Sequence, residues 1–115
     1  MISKKKRVQK FIRWCKQDSD ALKGVKTYVF WHEVALATPN GFGFGLTALL
    51  NNEIYGVYIA AKWPTKTVMT IIAHEYAHCV QHFRRRDLNE EDAQRTAERM
   101  VAAYLQIIKE KKKCK

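Results

Sequence analysis

The sequence lacks the features that mark several classes of protein. Its three cysteines, Cys15, Cys79 and Cys114, are scattered and odd in number, which argues against a disulfide framework and suits a reducing compartment. No hydrophobic run approaches the roughly 20 residues that cross a membrane, and the lysine-rich start leads into charged residues rather than into the apolar region of a signal peptide. We therefore expect a cytoplasmic protein without a membrane span.

Acidic residues are also scarce. The 115 residues include 21 Lys and Arg but 11 Asp and Glu, which gives a formal net charge of +10. Most basic residues fall in three clusters, at residues 4–16, 84–86 and 109–115. Such clusters bind nucleic-acid phosphates in some proteins and are solvated helix ends in others. Nucleic acid is therefore a second candidate partner.

Apolar residues make up 47% of the chain, which is enough for one hydrophobic core at this length. Neither an internal repeat nor a low-complexity linker divides the sequence. We expect one domain over residues 1–115.

One stretch carries a chemical motif, His74-Glu75-x-x-His78. Four-residue spacing on a helix places both imidazoles on one face, where a single Zn²⁺ can bind each nitrogen at roughly 2.0–2.1 Å. Glu75 is turned partly aside and can act as general base toward a water at the metal. A pair of partly buried structural histidines is the alternative interpretation.

The motif is predicted to lie on a helix. Pro64 and Thr65 provide a helix start, and residues 65–82 contain neither glycine nor proline. Two neighbouring side chains are weaker candidates as ligands. His82 lies about 12 Å along the helix axis from His74, and Cys79 falls on the apolar side, where a buried core residue is expected.

Before this helix, the pattern predicts an amphipathic helix over residues 4–23, ended by Gly24, and then a strand over residues 27–36. Residues 41–45 alternate glycine with phenylalanine and lack the lysine of a phosphate-binding loop, so a loop at the rim of the site is predicted.

Residues 46–50 and 54–60 are typical of a β-hairpin. The last helix is predicted to begin after an N-cap at Asn89 and to end near residue 112.

A two-histidine zinc site needs a third protein ligand and an open position. Two glutamates of the last predicted helix are candidates. Glu90 lies on the same stripe as Ala93 and Ala97, whose small side chains allow two helices to approach closely. Glu98 would lie level with His78 if the two helices were antiparallel.

Residues 90–97, Glu-Glu-Asp-Ala-Gln-Arg-Thr-Ala, resemble the glutamate helix of gluzincin metallopeptidases, Glu-x-x-Ala-(Asp/Asn)-x-x-Ala. Glu90, Ala93 and Ala97 match, and Gln94 replaces a residue that supports a zinc histidine in the family. The order of elements is similar to that of minigluzincins. The resemblance implies an α+β fold, with a short twisted, mostly antiparallel sheet of about three strands packed on the two zinc helices. The N-terminal helix would cover the other side.

By the same resemblance, the chain would be a zinc metalloendopeptidase that cleaves peptides or unfolded proteins. One Zn²⁺ would be held by His74, His78 and Glu90, with Glu75 as general base. The alternative is a basic zincin-like module that binds nucleic acid or protein and has a structural or vestigial zinc site.

Two further features of the reaction are expected from the sequence. Tyr76, Tyr104 and His32 are candidates to stabilise the oxyanion. Residues 46–50 are expected to form the sheet edge to which an extended peptide adds, so proline at Ala48 is expected to impair cleavage.

Overall fold

The protein, described from a computed structural model, has an α+β fold. The structure describes residues 3–19, 22–32, 36–38, 41–43, 45–50 and 54–113. Its elements are α1 (Lys4–Arg13), β1 (Lys26–His32), β2 (Leu36–Thr38), β3 (Gly41–Gly43), β4 (Gly45–Leu49), β5 (Ile54–Ala60), α2 (Thr65–Phe83) and α3 (Glu90–Lys113). Among the described helices, none combines the length and apolar character needed to cross a membrane.

The main sheet has three strands in the order β1-β5-β4. The predicted hairpin is confirmed, because β4 and β5 pair antiparallel. The expectation of a mostly antiparallel sheet is wrong, since β1 pairs parallel with β5 and the sheet is mixed. The central position of β5 explains its near-continuous burial.

A second, two-stranded antiparallel sheet is formed by β2 and β3. It changes two of the predictions. The strand predicted over residues 27–36 ends at His32, and Leu36 begins β2, with residues 33–35 outside the described residues. The loop predicted at residues 41–45 contains β3 and the first residue of β4, while Phe44 lies outside the described residues.

The N-terminal helix is shorter than predicted. After Arg13 the chain forms one π-helical turn, Trp14–Asp18, and the Ser19 hydroxyl donates to the Cys15 carbonyl oxygen at 2.8 Å. This side-chain bond satisfies the Cys15 carbonyl group in place of a main-chain N–H. It therefore favours the end of the helix over its continuation. The predicted stop at Gly24 is therefore wrong, and Gly24 belongs to the following turn.

The position of α1 also differs from the expectation. Phe11 of α1 packs edge-on against Tyr104 of α3 at a ring-centroid distance of 5.2 Å. Lys5 lies 5.8 Å from the ring of Trp31, which packs against the buried core. The helix therefore joins α2 and α3 on the core side of the sheet, because its apolar face meets their side chains, and does not cover the other side.

The end of α2 fixes where α3 can begin. Arg85 has a positive φ of 56°, and the N–H of Arg86 donates to the Gln81 carbonyl oxygen at 2.8 Å, as in a helix-ending Schellman turn. The predicted N-cap of α3 is confirmed, because Asn89 Oδ1 accepts from the N–H of Asp92 at 2.9 Å. The chain thus reverses directly after α2 and returns along it.

The β4 strand lies at the edge of the main sheet, as predicted. Leu50 N–H donates to the Ile54 carbonyl oxygen at 2.9 Å. Alternation in an antiparallel ladder then directs the N–H of Ala48 toward β5 and that of Thr47 away from it. Proline at Ala48 would therefore remove a bond of the sheet itself rather than an outward N–H, so that change does not test peptide pairing at the edge. Thr47 is the position that tests the edge.

The contact between α2 and α3 generates the first prediction. Ala97 of α3 is fully buried, whereas Ala102 on the same helix is exposed. Ala97→Leu is expected to lower the free energy of unfolding by about 1–3 kcal/mol, because extra methylenes overpack the close helix contact. Ala102→Leu should change it by less than about 0.5 kcal/mol. Urea unfolding followed by circular dichroism measures both, and equal midpoints would contradict the close contact.

Candidate metal centre

The two histidines of the motif converge on the same face of α2. Their Nε2 atoms lie 3.1 Å apart, and their rings are nearly perpendicular. The side chains of His74 and His78 are 18% and 11% exposed. Their helical spacing explains the shared face, as predicted.

A carboxylate from a second helix completes the cluster. Glu90 is the first residue of α3, and its Oε2 lies 2.8 Å from His74 Nε2 while its Oε1 lies 3.1 Å from His78 Nε2. One ligand atom from each of the three residues lies within 4.8 Å of the others, so the group can hold a metal ion. Within the described ranges, it is the one such group of His, Cys, Asp and Glu.

The orientation of the His74 ring is set by Gln94. Gln94 Nε2 donates to Glu98 Oε1 at 3.1 Å, so its other amide atom, Oε1, faces His74 Nδ1 at 3.0 Å. An amide oxygen only accepts, so His74 Nδ1 must be the donor. Gln94 therefore makes a supporting contact from the position where the gluzincin pattern has Asp or Asn.

Gln81 does the same for His78. Its Nε2 donates to the Asn89 carbonyl oxygen and to Asp92 Oδ2, both at 3.1 Å, and its Oε1 accepts from the Asn89 N–H at 3.2 Å. These three bonds fix the orientation of the amide. His78 Nδ1, 3.0 Å from Gln81 Oε1, must therefore donate.

With both Nδ1 atoms protonated, the neutral imidazoles of His74 and His78 direct Nε2 lone pairs toward one another and toward Glu90. These atoms repel unless a cation lies between them. Two nitrogens bound to one tetrahedral Zn²⁺ are roughly 3.3 Å apart, from bond lengths of 2.0–2.1 Å, close to the observed 3.1 Å. The donor set and its spacing therefore fit one zinc ion, with an extra proton on a ring as the alternative cation.

The pKa of the Glu90 carboxyl group reflects the alternative cation, a proton on the rings. Desolvation raises this pKa, but the hydrogen bond and the charge of a protonated His74 and the charge of a protonated His78 outweigh it, so the net pKa lies below its usual value. Glu90 is therefore ionised at neutral pH, as a metal ligand must be.

Glu98, the other candidate for the third ligand, lies outside the cluster. Glu98 lies two turns beyond Glu90 and accepts from Gln94 rather than facing either imidazole. It is not level with His78, because α2 ends at Phe83 and α3 begins at Glu90, which brings the first turn of α3 beside that histidine. Of the two candidates, the structure brings Glu90 to the histidines.

Glu75 lies beside the cluster rather than within it. Its Oε1 accepts from the Thr47 hydroxyl of β4 at 2.7 Å. Together with His74 it lines an open recess of about 360 Å³. Gly45 permits this approach of β4, because a Cβ atom there would lie 2.7 Å from Ile71 Cγ2 and 3.3 Å from Glu75 Cγ.

The three oxyanion candidates do not face the cluster. Tyr76 is 1% exposed on the core side of α2, and burial raises the pKa of its hydroxyl group. Tyr104 packs against the rings of Phe11 and Trp14. His32 stacks beside Tyr58 on the face of the sheet away from α2.

The remaining histidine and cysteine of α2 behave as expected. His82 Nδ1 lies 2.8 Å from the Tyr55 hydroxyl, outside the cluster. Cys79 is fully buried, and burial raises the pKa of its thiol to about 12. The thiol therefore stays protonated and does not serve as a ligand.

Gln81 and Thr47 are site residues that the sequence analysis missed. Gln81 lies three residues after His78, so the two side chains are neighbours on a helix. A polar residue at that spacing is the signal that could have identified it as a supporting residue. Thr47 reaches Glu75 only through the packing of β4 on α2, for which the sequence carries no local signal.

No family model, curated protein or solved structure matches this chain. The similarity to gluzincins therefore rests on the two short motifs. The geometry of their residues is a separate observation on which a function can be proposed.

The cluster predicts a ranking of metal affinities. Glu90→Ala should weaken Zn²⁺ binding strongly because it removes a ligand atom, whereas Glu98→Ala acts only through Gln94 and should weaken it by less than about tenfold. Glu91→Ala is the matched control, since it removes an exposed acidic side chain from the same first turn. Competition with a chromophoric chelator measures the affinities. A greater loss in Glu98→Ala than in Glu90→Ala would assign the third ligand to Glu98.

Proposed function

We propose that the protein is a zinc-dependent metallopeptidase. The observation that carries the proposal is the convergence of His74, His78 and Glu90, with Glu75 at the adjoining recess. Three protein ligands beside an open recess suit a catalytic site, since a structural zinc site closes its fourth position with another protein ligand. The Glu90 side chain is 79% exposed, so solvent reaches the cluster.

His74, His78 and Glu90 would hold the zinc ion. When bound, the ion supplies Lewis-acid chemistry, lowering the pKa of water and polarising a carbonyl group. Glu75 acts as general base, takes a proton from the attacking water and passes it to the leaving amine. Its position at the recess, rather than among the ligand atoms, supports this role.

Supporting contacts hold these groups in place. Gln94 and Gln81 direct both Nε2 atoms to one point by accepting from the opposite ring nitrogens. The Thr47 hydroxyl fixes one carboxylate oxygen of Glu75 and leaves the other for proton transfer. Such preorganisation keeps reactive groups within hydrogen-bond reach of a substrate.

The substrate is an extended peptide or an unfolded segment of protein. The β4 edge turns the N–H and C=O groups of Thr47 away from β5 and lies beside the recess through Gly45. Peptide main chain can pair with those groups as an added strand. Because every residue carries the main-chain groups, this pairing predicts cleavage of peptides with many different sequences.

The general base can be tested separately from the metal. Glu75→Gln should retain zinc, because Glu75 is outside the ligand set, and should lower peptide hydrolysis by about 10²–10⁴-fold. Zinc content and cleavage of an unfolded protein are measured on the same samples. Glu91→Gln is the control for loss of a carboxylate near the site, since Glu91 is exposed on the first turn of α3. Undiminished hydrolysis in zinc-loaded Glu75→Gln would refute the assigned role.

The edge strand has its own test. Thr47→Val and Thr47→Pro both remove the hydroxyl that binds Glu75, but only proline removes the outward main-chain N–H. Thr47→Pro should therefore raise KM beyond the value for Thr47→Val, with equal zinc content in both proteins. Thermal unfolding checks that both are folded. Equal KM values in folded, zinc-loaded variants would show that substrate does not pair with this N–H.

A further inference from the structure

The face of the main sheet away from α2 carries a row of rings that the proposed peptidase site does not use. Tyr28, Phe30 and His32 alternate along β1, and Tyr58 lies beside Phe30 on β5. Adjacent ring centroids are 5.5 Å (Tyr28–Phe30), 4.6 Å (Phe30–Tyr58) and 6.1 Å (Tyr58–His32) apart. Phe30–Tyr58 and Tyr58–His32 are stacked, with interplanar angles of 11° and 27°, and Tyr28 is tilted by 39° against Phe30, so the four rings form one aromatic row.

The row is accessible at both ends. Tyr28 is 63% exposed and His32 is exposed, while Phe30 and Tyr58 between them are half-buried. The intervening residues of β1 point the other way, where Thr27 is buried and Trp31 packs against the core. A sheet face with exposed aromatic rings has no role in holding this core, so it is a candidate binding surface.

Positive charge borders the row. Lys16 of α1 donates to the main-chain oxygen of Thr27, the residue before Tyr28, at 3.2 Å. This lysine lies at the free edge of the strand that carries three of the four rings, in a chain of formal net charge +10. Lys5 of α1, by contrast, lies against the ring of Trp31 on the core side of the sheet and does not border the row.

We propose that the aromatic row binds single-stranded nucleic acid. Bases stack on exposed rings whatever their sequence, and Lys16 at the edge of β1 can neutralise a phosphate beside the rings. Duplex bases are already stacked on one another and cannot meet the rings. A second copy of this chain is disfavoured as the occupant because two surfaces of the same positive charge repel. The row lies on the opposite face from the metal cluster, so this function is separate from peptide cleavage.

The test is fluorescence anisotropy of the full-length protein with a labelled 12-nucleotide thymidine oligomer, in about 50 mM salt and over a salt series. Wild type should bind the oligomer more tightly than a duplex of the same length. Tyr28→Ala should weaken binding by about fivefold or more, since a base stacked on an aromatic ring contributes at least that factor. Tyr28→Trp should restore the affinity.

Two controls separate stacking from charge. Phe83→Ala removes a ring that is 48% exposed at the end of α2 and does not belong to the row, and should leave the affinity unchanged. Lys16→Ala should reduce the slope of log K against log salt by about 0.7 for a lost phosphate contact, whereas Lys5→Ala, on the core side of the sheet, should leave the slope unchanged. Tyr28→Ala should lower the affinity without changing that slope, because stacking releases no counterions.

Three results would overturn the proposal: no binding in about 50 mM salt, equal affinity for the duplex, or unchanged affinity in folded Tyr28→Ala. Sedimentation of the free protein adds a fourth, because self-association that Tyr28→Ala abolishes would assign the row to a dimer interface. Peptide hydrolysis does not enter any of these measurements, so failure of the peptidase proposal leaves them intact.

Discussion

The arrangement of the metal cluster depends on the bonds that Gln81 makes across the turn between α2 and α3. The amide of this 3%-exposed residue binds the main chain of Asn89, the carboxylate of Asp92 and the imidazole of His78. One side chain thus fixes both the start of α3 and the orientation of a histidine. Losing it would leave the Asn89 N–H and the His78 ring N–H without this acceptor, at a cost of about 1–3 kcal/mol for a group that water cannot reach.

Residues close in sequence were predicted well because their placement follows from helix geometry. The spacing of His74 and His78, the N-cap at Asn89 and the bounds of α2 and α3 depend on local hydrogen bonds and on the 3.6-residue repeat. Glu90 was harder, because its meeting with the histidines depends on where α2 ends. A non-glycine residue, Arg85, takes the positive φ there, so the usual glycine signal for a helix end is missing.

The errors concern contacts between distant parts of the chain. A hairpin signal establishes that β4 and β5 are antiparallel, but nothing local indicates the direction of β1 beside β5. The orientation of the Ala48 N–H follows from a ladder that only the structure defines. The oxyanion candidates failed for a related reason. Residue type suggested Tyr76, Tyr104 and His32, but packing directs them into the core or across the sheet.

The origin of the ligands on two helices has an energetic consequence. His74 and His78 belong to α2 and Glu90 to α3, so an ion held by all three favours the state in which the helices are docked. A ligand that binds only the folded state stabilises it by RT ln(1 + [L]/Kd), about 2.7 kcal/mol at one hundred times Kd. The stabilisation acts on the helix contact formed by Ala93 and Ala97, rather than on α2 alone. With an ion bound, the His74–His78–Glu90 cluster and the packing of α3 would form one cooperative unit, whereas the aromatic row lies on the opposite face of the sheet.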